Sequence, residues 1–381
     1  MTQDIRTFVN DSHDLVALGE PDHREPAFAE IRNELFPRLV ERGFRSIALE
    51  SDRVAAFAVD DFVRDGEGSL DSAMSDGFSH GFGAFPANRE LVAWMREYNA
   101  DRPPAERISF HGIDAPFEFT AESPRRYLTE TRDYLGLGLD LASLAGDDER
   151  WSRMEAVTDP AQSPGDTPEA LRLRAIADDM LTELYARAPE LIAATSRAQW
   201  DRARIHATTG LGLLRYHRQA AQPGQDSERW SRLSAVRDSI MAQNLLDIRD
   251  HEADRGPTLV YGHNIHLQRN PSRMTMGHMA LTWSGTGAIL ASLLGDRYAF
   301  IAGSLGRSDG IGLQAPDPGT HEGRLQERFD TWGLIAADTL DPAVERTDTT
   351  SQQGPFPLEQ ALLDGADAVL HVSVGRAVAD N

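Results

Sequence analysis

Seven short apolar runs, each closed by polar or turn-forming residues, punctuate a chain of 381 residues: Leu15–Gly19, Ser46–Leu49, Ile108–His111, Thr258–Tyr261, Tyr298–Ala302, Leu334–Ala337 and Ala368–Val374. Runs of this length and apolarity read as buried strands. Between the first two, Phe28, Ile31, Leu35, Phe36, Leu39 and Val40 recur at helical spacing over Glu25–Arg42, and Gly43 stands where a helix would stop. A second helical pattern, Ala87–Tyr98, precedes the third strand. Strands alternating with helices predict an α/β fold: a central mixed, mostly parallel sheet flanked by helices on both faces.

The alternation is interrupted once. From about Ser123 to Asp254 strand signals vanish, and Ala, Leu, Arg and Glu dominate. Two amphipathic stretches, Pro168–Arg218 (broken near Pro189) and Asp226–Glu252, predict a large all-helical insertion roofing the active-site cleft. The expected organisation is residues 1–120 as the N-terminal half of the α/β core, 121–254 as the helical insertion or lid, and 255–381 as the C-terminal half. Gly310–Gly323 and Thr347–Pro357 read as loops. The opening residues show no basic segment followed by an apolar one, and no apolar run reaches the ~18 residues of a membrane span. The expected location is cytoplasmic.

Composition removes several chemistries. With no cysteine and no lysine, the chain has no disulfide, thiolate ligand, thiol nucleophile, Schiff base or phosphate-loop lysine. Sixty acidic residues against 38 arginines give a net charge of −22, which repels nucleic acid phosphates and anionic membranes. The expected partner is a small-molecule substrate, with no nucleic acid and no membrane; nothing in the sequence sets the oligomeric state.

The titratable groups that remain gather at strand ends. The first strand ends Gly19-Glu20-Pro21-Asp22-His23, the second Leu49-Glu50-Ser51-Asp52-Arg53, and the third His111-Gly112-Ile113-Asp114. In an α/β sheet the space beyond the carboxyl ends of the strands is where ligands bind, so these acids and His23 are expected to converge there. Parallel neighbouring of the first two strands would set Glu50 beside Glu20 and His23. The fourth core strand runs into Tyr261-Gly262-His263-Asn264-Ile265-His266, the densest cluster of titratable and hydrogen-bonding groups in the chain. Taken separately, each has a plainer role: Glu20 a loop acid, His23 a helix cap, Glu50 a partner of Arg53. Gly306-Arg307-Ser308-Asp309-Gly310 matches a nucleophile-elbow pattern, but no helix pattern follows the serine. Gly136-Leu137-Gly138 and Gly210-Leu211-Gly212 lack a dinucleotide fingerprint, and His206 and His217 read as facing solvent or lining the cleft.

Taken in order, Gly19-Glu20-x-x-His23, the helix with Arg32, Gly43-Phe44, the strand ending in Glu50, Trp94 to Asn99, Gly112-x-Asp114, Arg237-Asp238-x-x-Met241-Ala242-x-Asn244, His263-Asn264-x-His266 and Met276-Gly277 resemble the erythromycin esterase family over about residues 10–310. The resemblance implies hydrolysis of a macrolactone ester by water, activated by a histidine general base, without a covalent intermediate or a metal. Carried over, His23 resembles the base, and Glu20, Arg32, Glu50, His263 and His266 the residues around it. Asp22 and Arg24 replace the threonine and glycine that usually flank the motif histidine.

The expected mechanism has His23 accept a proton from water while Glu20 or Glu50 stabilises the imidazolium. Arg32 holds those carboxylates ionised, and His263 and His266 polarise the carbonyl or protonate the leaving alkoxide. Asp114, Asn264 and Arg53 are the expected substrate-binding residues. No cofactor is expected, although Glu20, His23, Glu50, His263 and His266 are donors enough for zinc or manganese, so a divalent metal stays open. Two alternatives use the same residues: a natural-product tailoring enzyme performing elimination, isomerisation or cyclisation, and a non-catalytic binding protein for self-protection.

Overall fold

The computed structural model describes residues 2–118, 120–349 and 354–376. All seven apolar runs are strands of one sheet: β1 (Leu15–Glu20), β2 (Ser46–Asp52), β3 (Ser109–Asp114), β4 (Thr258–His263), and, after a separate hairpin of β5 (Ser272–Met276) and β6 (Met279–Trp283), β7 (Tyr298–Arg307), β8 (Trp332–Ala336) and β9 (Ala368–Val374). The order across the sheet is β3-β2-β4-β1-β7-β9-β8. Pairing of β1 with β4 and β7, of β2 with β4, and of β7 with β9 is parallel, and β8 runs antiparallel to β9. The sheet is therefore mixed and mostly parallel, as the alternation of elements predicts. One expectation is corrected: β1 and β2 are not neighbours, because β4 lies between them.

Helix α1 (Pro26–Glu41) begins where Glu25 accepts the Ala27 N–H at 3.1 Å and Pro26 fills the first turn, a position with no partner for its missing N–H. It ends before Gly43, whose φ of +102° suits glycine. Three more helices follow before β3: α2 (Ala56–Asp65), α3 (Leu70–Asp76) and α4 (Pro86–Asn99). Only α4 has a sequence signature among the patterns above. Alternate strand residues divide between two cores. Val16, Leu18, Ile47, Leu49, Leu259 and Tyr261 pack with Phe28, Ile31, Leu35, Phe36 and Leu39 of α1, while Leu15, Ala17, Ala48, Val260 and Phe300 pack with Met241, Leu245, Ile248 and Leu290.

The chain forms two compact units. One comprises Met1–Glu50, Ala55–Ile113 and Met241–Asn381; the other comprises Ser51–Val54 and Asp114–Ile240. The second is helical, built on Arg125–Leu135, Pro168–Ala186 and Arg197–Ala220 around Leu128, Trp151, Leu173, Trp200 and Leu214. His217, expected at solvent or in a cleft, is instead wholly buried in this unit and held by the Glu122 carbonyl at 3.0 Å. Gly136 ends the helix Arg125–Leu135 in a left-handed conformation, and Gly210 lies against Leu128, so neither glycine pair belongs to a nucleotide loop. The stretch Gly310–Gly323 is loop until His321, where a short helix starts. Residues 350–353 of the expected loop Thr347–Pro357, and residues 377–381 of the expected C-terminal half, lie outside the described residues. Among those described, no helix is long and apolar enough to cross a membrane.

Candidate functional site

Strand register builds the site. β1 and β4 end side by side, with Glu20 opposite His263 and Gly19 opposite Gly262, and Leu49 of β2 pairs with Tyr261 on the other side of β4. Glu50 follows Leu49 and so reaches Gly262, where a Cβ would stand 2.9 Å from Glu50 Oε2 and 3.1 Å from its Cβ. The absent side chain at 262 is what lets this carboxylate lie across the end of β4.

His23 leaves the turn after β1 and meets both acids. Its Nδ1 is 2.7 Å from Glu20 Oε1, and its Nε2 is 3.7 Å from Glu50 Oε1. Glu50 Oε1 is also 3.4 Å from His266 Nε2, while Oε2 accepts the His263 N–H at 2.8 Å. The imidazole of His23 packs edge-on against His263 at 5.2 Å between centroids and lies tilted against Phe82 at 5.1 Å. Burial disfavours its charge, but the nearby Glu50 carboxylate, the hydrogen bond that Glu20 accepts and the charge of Glu20 outweigh it, and the pKa is raised to about 10. The resting imidazole is thus protonated at neutral pH, contrary to a base poised near pH 7.

His263 has a different assignment from the one expected. Its Nε2 meets the Pro21 carbonyl at 2.9 Å, so it carries the proton, and its Nδ1 accepts the Ile265 N–H at 3.1 Å. Both nitrogens are committed to backbone, and burial, with His23 and His266 nearby, lowers its pKa to about 3. A neutral ring with two structural bonds neither protonates a leaving group nor ligates a metal; it caps the short helix Asn264–Leu267 and backs His23.

Arg32 is fully buried on α1, but its guanidinium does not bond the carboxylates. It donates to Asn33 Oδ1 at 2.8 Å and Asn88 Oδ1 at 2.9 Å and lies 4.7 Å from the centroid of the Tyr261 ring. The Tyr261 hydroxyl in turn donates to Glu20 Oε2. Asn264, expected to bind substrate, is spent on the backbone of β7. Its amide bonds the Gly303 carbonyl at 2.8 Å and N–H at 2.9 Å, in space that exists because residue 19 is glycine.

Asp114 and Arg53 belong to the helical unit. Arg53 donates its N–H to the Asp114 carbonyl at 2.9 Å, and the Asp114 carboxylate accepts from Arg237 Nε at 3.0 Å and from the Ala115 N–H at 2.8 Å. Asp22 and Arg24, the departures beside the motif histidine, pair with each other, Arg24 Nε to Asp22 Oδ1 at 2.9 Å.

Glu20, His23, Arg32, Glu50, Tyr261 and Gly262 form one wall of a cavity of about 790 Å³. The remainder is largely apolar, with Pro26, Ala29, Phe82, Phe85, Pro86 and Ile311, and carries Arg24, Glu30 and Arg376. None of the described lining residues is Ser, Thr, Cys or Lys. Ser308 of the elbow-like pattern bridges to Leu313 across a turn and starts no helix. Among the described residues no three His, Asp or Glu side chains stand in an arrangement that would hold a metal ion.

Comparison with known proteins bears on both the fold and this site. A family model for erythromycin esterase matches residues 39–373, which includes Glu50, Tyr261, His263 and His266 but leaves Glu20, His23 and Arg32 outside the matched span. A Bacillus cereus protein superimposes with a TM-score of 0.70 at 16% identity, covering 98% of this chain and 94% of its own. The erythromycin esterase EreC, solved as an open-conformation mutant, does so at 0.68 and 20% identity, covering 97% and 93%. A succinoglycan biosynthesis protein gives 0.68 at 16% identity, covering 97% and 90%. At these identities the likeness is one of fold. No curated protein matches by sequence.

Proposed function

The chain belongs to the erythromycin esterase family, and from that premise we propose that it hydrolyses a carboxylic ester, in the first instance a macrolactone, by direct attack of water with His23 taking the water's proton. One observation carries the reading. A single imidazole is held between two carboxylates, 2.7 Å from Glu20 and 3.7 Å from Glu50, in the wall of a cavity large enough for a sizeable apolar ligand.

The chemistry follows from the groups at hand. The described lining offers no hydroxyl of serine or threonine, no thiol and no primary amine, which favours water over a serine-, threonine-, cysteine- or lysine-type nucleophile. Water adds its oxygen to the ester carbonyl and gives a proton to His23 Nε2. Glu20, bonded to Nδ1, fixes the tautomer and stabilises the imidazolium as it forms. The tetrahedral intermediate then expels the alkoxide, which takes the proton back from Nε2, leaving a carboxylic acid and an alcohol.

With a pKa of about 10, only about one His23 in 10³ is unprotonated at pH 7. In this reading kcat/KM therefore climbs with pH until close to 10. The same proton affinity favours a second reading, in which the His23 imidazolium polarises the carbonyl and Glu50 accepts the water's proton. That version loses activity as pH rises through about 10, so the sign of the alkaline limb separates the two.

The test is incubation with a panel of macrolides and simpler lactones in oxygen-18 water, read by mass spectrometry. The expected product contains one added water with the heavy oxygen in the new carboxylate, and His23→Ala lowers turnover by roughly 10² to 10⁴. A product isomeric with the substrate, or lacking a group, would replace hydrolysis by the tailoring chemistry. Stoichiometric capture without product would make the protein a binder, and near wild-type turnover in His23→Ala would remove His23 from the reaction.

A further inference from the structure

Glu20 has two oxygens and two different partners: Oε1 meets His23 Nδ1 at 2.7 Å, and Oε2 accepts the Tyr261 hydroxyl. We propose that Tyr261 is a positioning residue that aligns Glu20 on His23 and, with Arg32 stacked over its ring, sets how strongly Glu20 holds the imidazole proton. The inference rests on the reading of His23 as the group that moves the proton.

The placement is built into the sheet. Tyr261 pairs with Leu18 of β1, and Glu20 lies two residues further along the same strand. Side chains at that diagonal point to one face, about 7–8 Å apart at the backbone, a gap that an aromatic ring with a terminal hydroxyl spans. Tyr261 is flanked by strands on both sides and buried, so its ring is fixed by the sheet. A carboxylate bonded through one oxygen rotates about its last torsion; bonded through both, it presents Oε1 to the imidazole in one orientation.

Arg32 completes the arrangement from α1. Its hydrogen bonds go to Asn33, Asn88 and the Ala87 carbonyl, all neutral, and its charge faces the Tyr261 ring at 4.7 Å. A cation over a phenol makes the hydroxyl a better donor. Burial, and then the charge of Glu20, hold the phenol's pKa well above its ordinary value despite Arg32, so Tyr261 keeps its proton and donates. Arg32 thus bonds no carboxylate; its charge acts on Glu20 through space and on the Tyr261 ring that bonds Glu20. The other charged or titratable groups facing His23 are Glu50, His263 and His266, with Arg24, Glu30 and Arg376 in the same cavity.

The consequence has a sign. Sharing the charge of Glu20 with a phenol weakens its hold on the His23 proton, so Tyr261→Phe, which changes volume little, is expected to raise the His23 titration midpoint by roughly half a unit to one unit. It is expected to lower kcat/KM at pH 7 about 3- to 10-fold with KM nearly constant, because fewer imidazoles are unprotonated. In a Glu20→Gln background the same substitution should leave the His23 midpoint where it is. A purely structural tyrosine would shift nothing, or shift both backgrounds alike, and either result overturns the proposal. A second measurement needs no change at 261. In the wild type the Tyr261 ¹³Cζ resonance should move as His23 titrates, and in Glu20→Gln it should not; a resonance indifferent to that titration also overturns it. Both titrations use the free protein, so their failure is distinct from failure of the hydrolysis assay.

Discussion

Replacing Glu50 by glutamine tests the electrostatics of the site most directly. Glutamine keeps the size of the side chain and an oxygen to accept the His263 N–H, but removes the charge 3.7 Å from His23 Nε2. At an effective dielectric constant of about 20, two unit charges at that distance attract by about 4 kcal/mol, worth about 3 pKa units. The His23 side chain is 31% exposed, and screening by water trims this to a fall of roughly 2 units. From about 10 in the wild type, the Glu50→Gln midpoint should lie near 8, still above the ordinary value of ~6.5 because Glu20 remains. NMR titration of the His23 imidazole reads this, and the rising limb of kcat/KM should move with it. Stability shifts too. A group whose pKa is higher folded than unfolded contributes stability that is complete below about 6.5 and is lost as pH rises through about 10. In Glu50→Gln that loss should finish near 8, read as thermal unfolding against pH. A wild-type midpoint near 6.5, or a variant midpoint still near 10, would refute the assignment of Glu50 as the charge that holds the proton on His23.

Two further substitutions separate positioning from binding. Gly262→Ala puts a methyl 2.9 Å from Glu50 Oε2, which should cost about 1–3 kcal/mol in denaturant unfolding. By moving that carboxylate away from His23 it should also lower the His23 titration midpoint, read by NMR; an unchanged midpoint would mean that the placement of Glu50 is immaterial. Asn264→Ala strips the partners from the Gly303 N–H and carbonyl, a loss on the order of 3 kcal/mol in unfolding free energy. KM should stay near wild type in the folded fraction, and a KM rise without loss of stability would return Asn264 to substrate binding.

The sheet was legible because its strands are short, apolar and sharply bounded, and the acids at their ends were legible because a mostly parallel sheet gathers carboxyl ends at one rim. Glu20, His23, Glu50, His263 and His266 do meet there. What an apolar run does not encode is its neighbour. Thr258–Tyr261 looks like any other buried strand, yet its insertion between β1 and β2 is what makes Tyr261 the partner of Glu20 and Gly262 the floor beneath Glu50. A faint signal was present: one tyrosine closing an aliphatic run, two residues before a histidine that shares its side of the strand.

The roles of the individual side chains were harder to read for a different reason. A histidine's part in proton transfer depends on what its two nitrogens touch, and for His263 those partners are a proline carbonyl and an N–H two residues on, set by the turn and not by residue type. Arg32 illustrates the same point at longer range. Two acids and an arginine suggest a salt bridge, but the arginine sits on a helix packed over the tyrosine-bearing face of the sheet, and the ring intervenes. The charge therefore acts on Glu20 through space and across the Tyr261 ring, without a second donor crowding the oxygen that faces His23. A direct Arg32–Glu20 bond would spread more of the carboxylate's charge away from the imidazole and lower its proton affinity. The interposed phenol takes one oxygen of Glu20 and leaves the other to meet His23 Nδ1.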